Sequence, residues 1–227
     1  MGRNGASGRE RAIAAGASFR RPAAAALVLA AGIACAGLPR RIARPDRPDP
    51  RAPEKYVVRF ETTAGDFEIA VTREWAPRGA DRFFRLVDGG YYDGSKVFRV
   101  IPGYIAQFGI AADPALAKAW RFAYLPDDPQ RRPCVRGAVA FADKGPNTRA
   151  TQVFVNLADN PPLDTGEFAP FGRVVSGMDA VDRLHGYGRD GPQGERTDQS
   201  AIFERGNVYL DARYPGLDTI VRAAVVR

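Results

Sequence analysis

A strand-like segment from Phe98 to Gln107 carries two polar side chains within an otherwise apolar run. Because side chains alternate along a strand, Arg99 lies on the face shared by Val97 and Ile101. An arginine is always charged, planar and rigidly forked, so at such a place it can donate hydrogen bonds to a bound group. The pattern alone leaves open a simpler interpretation, in which Arg99 is an edge-strand residue with its head in water and Gln107 faces solvent.

A second segment, residues 141–156, joins a Gly-Pro-Asn loop to a strand. Gln152, Phe154 and Asn156 share one face of this strand, whereas its valines share the other. An amide beside an aromatic ring is a surface that can bind a peptide. The alternative is a barrel strand with its core on one side only. A third segment, residues 162–172, contains loop and turn signals alone.

The composition argues against a nucleic-acid surface and against a metal or disulfide site. Residues 1–54 hold ten arginines and four acidic residues, whereas the remaining 173 residues hold 23 basic and 22 acidic ones. Residues 1–54 therefore carry +6 of the net charge of +7, and the nearly neutral remainder lacks the basic stripe that nucleic-acid binding requires. With one histidine, His185, and two cysteines, Cys35 and Cys134, no metal-ligand spacing exists.

The N-terminal residues have the pattern of an export signal. Basic residues precede an apolar run from Pro22 to Leu38, which is shorter than the about 20 residues that span a bilayer. Three interpretations remain open: cleavage at an A-x-A site around Cys35, a lipoprotein box in which Cys35 is lipidated and tethers the chain to a membrane, and an uncleaved anchor or misassigned start. We predict a signal over 1–38, and a stiff, solvated linker over the Pro- and Arg-rich residues 39–54.

The rest of the chain predicts a mainly β domain. Pro77 begins a helix that Gly89 and Gly90 end, and a second helix covers Met178 to Leu184. Short strands separated by Gly and Pro, with one helix early and one late, favour a closed β-barrel with two flanking helices. The predicted strands cover 56–61, 67–71, 97–101, 104–108, 137–142, 152–157 and 172–175. Helical extensions are predicted over 200–210 and 217–226.

Together, the three polar segments resemble the signature blocks of cyclophilin-type peptidyl-prolyl cis-trans isomerases. F-R-V-I-P-G-Y-I-A-Q resembles the strand pair that carries the family's catalytic arginine, and G-P-N-T-R-A-T-Q-V-F-V-N resembles the block whose Gln and Phe form the binding face. F-A-P-F-G-R-V-V-S-G-M-D resembles the closing strand and turn. The likeness covers roughly Tyr56 to Gly188, so we expect a cyclophilin-like barrel over 55–188 and a helical C-terminal extension over 189–227. Residues 110–128 and the tail resemble a bacterial, exported subgroup.

The resemblance implies roles for individual residues, with Arg99 as the catalytic arginine. Tyr104 and Ile105 stand where the family usually has Phe and Met, and Asp143 stands where Asn is usual. Pro162 and Phe168 depart further, since Trp or Phe and His are common there. The substrate-binding residues implied are Tyr104, Ile105, Gln107, Ala142, Asp143, Gln152, Phe154, Pro162, Leu163 and Phe168.

The activity implied is rotation about X–Pro peptide bonds, assisting protein folding outside the cytoplasm. No bond breaks and no proton leaves in this reaction, so no cofactor and no metal are expected. The expected partners are proline-containing polypeptides and not nucleic acid, the expected state is a monomer, and the expected location is the periplasm or a membrane facing it. The alternative is a non-catalytic binding module or chaperone on the same fold, which would bind such peptides with little rate enhancement.

Overall fold

A single antiparallel sheet of eight strands organises the part of the chain that the structure, a computed structural model, describes: residues 44–187 and 197–226. The predicted signal, with Cys35, lies outside these residues. In the described part of the chain, no helix has the length and apolar character needed to span a membrane. The mainly β fold class is confirmed, and each predicted strand is present within a few residues of its expected bounds.

The sheet order is β3-β4-β6-β5-β7-β2-β1-β8. The strands are β1 (Lys55–Thr62), β2 (Phe67–Thr72), β3 (Arg99–Ile101), β4 (Ile105–Phe108), β5 (Ala138–Phe141), β6 (Val153–Asn156), β7 (Pro170–Ser176) and β8 (Ile220–Val226). The helices are α1 (Pro77–Asp88), α2 (Pro114–Trp120), α3 (Met178–Asp182), α4 (Gln199–Arg205) and α5 (Asn207–Arg213). Short 3-10 turns cover Arg73–Trp75 and Pro161–Leu163.

The two edges of this curled sheet, β3 and β8, approach each other through the residues that precede them. Lys96 and Thr219 form an isolated antiparallel bridge, and the Val97 N–H donates to the Asp218 carbonyl at 2.9 Å. This contact is a single bridge and not a continuous ladder between the two strands. Full closure of the barrel therefore stays a prediction.

Aromatic side chains fill the interior of the sheet beneath α1. Phe60 stacks on Phe67 with ring centroids 4.9 Å apart, and Phe83 of α1 lies 4.7 Å from Phe171 of β7. All four rings are buried. Burying one such side chain contributes about 1.5–3 kcal/mol, so this contact fixes α1 against the sheet. The helix begins at Pro77, as predicted, because the proline lacks only an N–H that has no partner in a first turn.

The C-terminal segment differs from its prediction at one point. The helix expected over 217–226 is wrong, because Ile220–Val226 forms β8 and pairs antiparallel with β1, placing Val225 opposite Val58. A run rich in β-branched residues gains a ladder of hydrogen bonds at that edge of the sheet. The helical prediction over 200–210 is confirmed, although Gly206 divides it into α4 and α5. Gly206 has φ 57°, and a Cβ there would lie 2.4 Å from the Ala112 carbonyl oxygen.

The predicted linker contacts the domain over its described residues, 44–54. Asp49 accepts hydrogen bonds from Nε of the buried Arg82 at 2.8 and 3.0 Å, and the Ala52 N–H donates to Asp81 at 2.8 Å. Arg82 also donates to two backbone carbonyls and lies 5.0 Å from the centre of the Trp120 ring. Burial lowers the pKa of Arg82, and the charge of Asp49 opposes that effect. Residues 44–54 thus supply the counter-charge of a buried guanidinium.

We predict that Asp49→Ala in the full chain lowers the free energy of unfolding by about 3 kcal/mol, because it leaves a buried charge without its partner. Urea denaturation followed by circular dichroism measures the change. The matched control is Asp46→Ala, an exposed acid three residues away, which should change stability by less than about 0.5 kcal/mol. Equal midpoints for Asp49→Ala and the wild type would contradict the docking of this segment.

Candidate active site

The register of four neighbouring strands places residues of the segments 98–107 and 141–156 in one row. Arg99 of β3 lies opposite Gln107 of β4, Gln107 lies opposite Phe154 of β6, and Phe154 lies opposite Ala140 of β5. Directly opposed residues project to the same face of a sheet with Cβ atoms about 4.5–5.5 Å apart. Arginine, amide and aromatic ring therefore form one continuous surface.

A tight turn between β3 and β4 sets this register. Pro102 and Gly103 are exposed at its tip, and the Tyr104 N–H donates to the Ile101 carbonyl at 3.0 Å. Gly103 has φ 69°, a conformation that glycine adopts without the clash of a Cβ. The predicted strands 97–101 and 104–108 leave Pro102 and Gly103 between them, and the turn brings Arg99 directly across from Gln107.

Hydrogen bonds between side chains fix the guanidinium within the row. Arg99 Nη1 donates to Gln107 Oε1 at 2.9 Å, and Gln107 Nε2 donates to Gln152 Oε1 at 2.8 Å. Gln107 is only 5% exposed, so the solvent-facing interpretation left open for it is wrong. Arg99 itself is partly buried, with its guanidinium at the wall of a groove.

An apolar pocket adjoins the guanidinium. Ile105, Ala140 and Phe154 form a small buried cluster, separate from the main core, and Leu163 and Phe168 pack on it. The rings of Phe154 and Phe168 meet edge to face with centroids 5.6 Å apart. This arrangement can hold a small aliphatic ring beside a cationic donor.

The pocket opens into a groove of about 260 Å³. Pro162 does not line it, because this residue is exposed on the 3-10 turn Pro161–Leu163. The structure brings the other predicted residues together in its walls: Arg99, Tyr104, Ile105, Gln107, Ala142, Asp143, Gln152, Phe154, Leu163 and Phe168.

The groove also has walls that sequence reasoning missed. Phe122 and Tyr124 follow α2, and Gln199 and Phe203 come from α4. Arg121 stacks between the two phenylalanines, 5.3 Å from the centre of the Phe122 ring and 4.8 Å from that of Phe203. For Phe122 and Tyr124, the sequence offers one signal of a binding surface, the two aromatic residues that alternate in the stretch R-F-A-Y. The second pair returns to the site from far along the chain, with no local signal.

A buried ion cluster anchors the loop that precedes β6. Arg149 is 1% exposed, and it contacts Asp127 at 3.0 Å and Asp128 at 3.2 Å. Asp128 also accepts the N–H groups of Arg78 and Gly79 in the first turn of α1 at 3.0 and 2.9 Å. The loop that carries Asp143 and leads to Gln152 is thereby anchored to the helix.

The one described cysteine takes no part in the groove. Cys134 is 1% exposed, and burial raises the pKa of its thiol to about 12, with the nearby Asp164 carboxylate adding to the effect. The thiol is thus protonated at neutral pH, when a cysteine nucleophile would need to be a thiolate. Within residues 44–187 and 197–226, no group of three or more His, Cys, Asp or Glu side chains could hold a metal ion.

Comparison with known proteins identifies the family. The family model described as "Cyclophilin type peptidyl-prolyl cis-trans isomerase/CLD" matches residues 57–204. The chain belongs to the cyclophilin family. A probable peptidyl-prolyl cis-trans isomerase of Brucella abortus is 33% identical over 143 residues, 58% of this chain and 72% of that protein. Peptidyl-prolyl cis-trans isomerase A of Dickeya dadantii is 33% identical over 132 residues, 56% of this chain and 70% of that protein.

Solved structures agree on the fold. A cyclophilin-type peptidyl-prolyl cis-trans isomerase of Cryptosporidium parvum matches with a TM-score of 0.56 and 21% identity, covering 76% of this chain and 98% of that one. Its structure in the presence of the dipeptide Ala-Pro gives a TM-score of 0.55 and 22% identity, covering 75% and 99%. The cyclophilin described here is accordingly a peptidyl-prolyl cis-trans isomerase by family, with the cyclophilin arrangement of its sheet.

Asp143 gives this cyclophilin a charge in the groove wall. Its Oδ1 accepts the Gly145 N–H at 3.1 Å. Burial raises the pKa of the Asp143 carboxyl, and the charges of Asp127 and Glu167 act in the same direction, whereas Arg149 and the Gly145 hydrogen bond oppose them. The folded state thus binds this proton more tightly than the unfolded chain does.

We predict that Asp143→Asn raises the midpoint of thermal unfolding at pH 7, because the amide keeps the acceptor for Gly145 and removes a disfavoured charge. A raised carboxyl pKa means that stability falls as pH rises from the unfolded value through the folded one. The difference in midpoint between the variant and the wild type should therefore shrink as pH falls toward about 3, where the carboxyl of Asp143 is protonated and as neutral as the amide. Differential scanning calorimetry at several pH values measures it. The control, Asp159→Asn, changes an exposed acid outside the groove, and a lower midpoint for Asp143→Asn at pH 7 would contradict the prediction.

Proposed function

We propose that the row Arg99–Gln107–Phe154 is the catalytic surface of this isomerase and that it acts on proline-containing segments of polypeptides outside the cytoplasm. The observation that carries the proposal is the cross-strand register, which sets a cationic donor beside a buried apolar pocket. Both groups are held by hydrogen bonds or packing, so the site is formed before a client binds.

The reaction needs stabilisation of a twisted peptide bond. Rotation is slow because the C–N bond has partial double-bond character, with a barrier of about 18–20 kcal/mol. In the twisted state the conjugation is lost, and the proline nitrogen becomes pyramidal with a localised lone pair. A donor aimed at that lone pair stabilises the twisted state more than either planar state, which is the condition for catalysis.

Six groove residues have a part in this scheme. Arg99 donates to the proline nitrogen, and its hydrogen bond to Gln107 Oε1 at 2.9 Å fixes the plane of its guanidinium. Phe154, Ile105 and Leu163 hold the proline ring in the apolar pocket. Gln107 and Gln152 face the backbone of the client. An arginine keeps its charge and amide and apolar side chains carry none, so the scheme moves no proton.

We predict that Arg99→Ala lowers the catalysed rate of X–Pro exchange at least about tenfold, since it removes the donor made for the twisted state. Two-dimensional exchange NMR on a short Ala-Pro-Phe peptide measures the rate, and circular dichroism checks the fold. The matched control is Arg173→Ala on β7, an exposed strand arginine outside the groove, which should keep the wild-type rate. Full activity in Arg99→Ala would remove this mechanism.

The second candidate function is a non-catalytic binding module. It is favoured by two residues at the pocket rim that differ from those common in the family. Pro162 is exposed outside the groove, and Phe168 packs on Phe154 where the family commonly has His. A module would shift the peptide resonances without faster exchange, and Arg99→Ala would then leave the exchange rate unchanged. The same NMR experiment separates the two functions.

We also propose export, on the pattern of residues 1–38 in the sequence. In a Gram-negative host, deletion of 22–38 should retain the chain in the cytoplasm, whereas the full chain should be accessible to protease in spheroplasts. Cys35→Ser distinguishes the processing routes, because it abolishes fatty-acid labelling of a lipoprotein and leaves the N-terminus of a chain cut after Ala36 unchanged. Protease protection of the full chain in spheroplasts would contradict export.

A further inference from the structure

The segment that begins at Thr197 lies beside the groove and leads into α4. Thr197 Oγ1 donates to the Phe98 carbonyl at 2.9 Å, next to Arg99 in the chain. Asp198 caps α4, its side chain accepting the Ser200 N–H at 2.8 Å. These two contacts place Gln199 beside the groove, where Gln152 Nε2 donates to Gln199 Oε1 at 3.2 Å.

Gln199 is the last acceptor of a directional relay. Arg99 can only donate, so Gln107 must turn its oxygen toward the guanidinium and its Nε2 toward Gln152. Gln152 then has its oxygen occupied, and its Nε2 needs an acceptor on the far side. Gln199 Oε1 is that acceptor. The donor-only Arg99 thus sets the direction of the relay, and Gln199 closes it by accepting its last N–H.

The helix that carries Gln199 is firmly packed. Ile202 and Phe203 are buried at 1% and 4% exposure. Glu204 forms an ion pair with Lys118 of α2 at 2.7 Å, and Arg121 lies over the Phe203 ring. Gln199 is therefore presented by a rigid element, which is the condition for holding a neighbouring side chain in one rotamer.

We propose that Gln199 is a positioning residue of the isomerase site: from the C-terminal segment it fixes the Gln152 amide, and through Gln152 and Gln107 the plane of the Arg99 guanidinium. This inference rests on the proposed function. Gln199 does not touch the proline nitrogen in this scheme. Its effect is on how well the donor is aimed in the twisted state, and so on kcat more than on KM.

The test compares three substitutions in the full chain. Gln199→Leu removes the acceptor at similar size and should lower kcat about three- to tenfold, the range that one hydrogen bond between neutral groups supplies, with KM within about twofold. Gln199→Glu keeps an acceptor and should retain kcat within about twofold of the wild type. Ser200→Ala, the exposed neighbour on α4, is the control and should match the wild type.

Two further readouts separate positioning from a general structural role. The side-chain amide resonances of Gln152 and Gln107 in ¹H–¹⁵N spectra should move in Gln199→Leu and return toward their wild-type positions in Gln199→Glu. A wild-type kcat in Gln199→Leu, or a loss that follows a fall in Tm and is not rescued by Gln199→Glu, overturns the inference. Arg99→Ala is measured in parallel. Full activity of Arg99→Ala would contradict the proposed function. An inactive Arg99→Ala together with a fully active Gln199→Leu would contradict this inference alone.

Discussion

The pairing of β4 with β3 on one side and β6 on the other is the constraint on which the site depends. Each strand contributes one residue to the row Arg99–Gln107–Phe154. Because side chains alternate with a period of two, a slip of one residue in either ladder would turn that strand's contribution away from the groove. The turn at Pro102 and Gly103 fixes the first ladder, and the buried residues Ile105 and Phe154 fix the second.

Two buried guanidinium groups join the loops that flank the groove. Arg82 donates to the carbonyls of Ala123 and Ala150 at 2.7 and 2.9 Å, and so joins the two loops that flank the groove. Arg149 joins the same loops through Asp127 and Asp128. Burying such charges is costly unless every donor finds a partner. Within residues 44–187 and 197–226 no buried side-chain nitrogen or oxygen lacks one, so the cost is offset.

The sequence predicted what local pattern determines and missed what distant contacts determine. The helix from Pro77 is local, because a proline begins it and Gly89 and Gly90 end it. Helix was predicted over 217–226, whereas pairing with β1 makes Ile220–Val226 a strand. Gln199 could not be assigned either, since nothing nearby in the sequence shows that it meets Gln152 from 47 positions away. The resemblance predicted the pocket residues apart from Pro162, which lies outside, and the C-terminal segment adds Gln199 and Phe203 to the groove.

The choice of amides around Arg99 has a physical reason in the proposed mechanism. A carboxylate at the position of Gln107 would orient the guanidinium equally well, but it would also cancel its charge and compete with the proline nitrogen for its protons. A neutral amide fixes the plane and leaves the charge available. Among the described residues that line the groove, Asp143 is the single carboxylate, and its Oδ1 is bound to the Gly145 N–H. The groove thus holds the cation against a neutral amide at Gln107, which suits a reaction that develops a lone pair and no net charge.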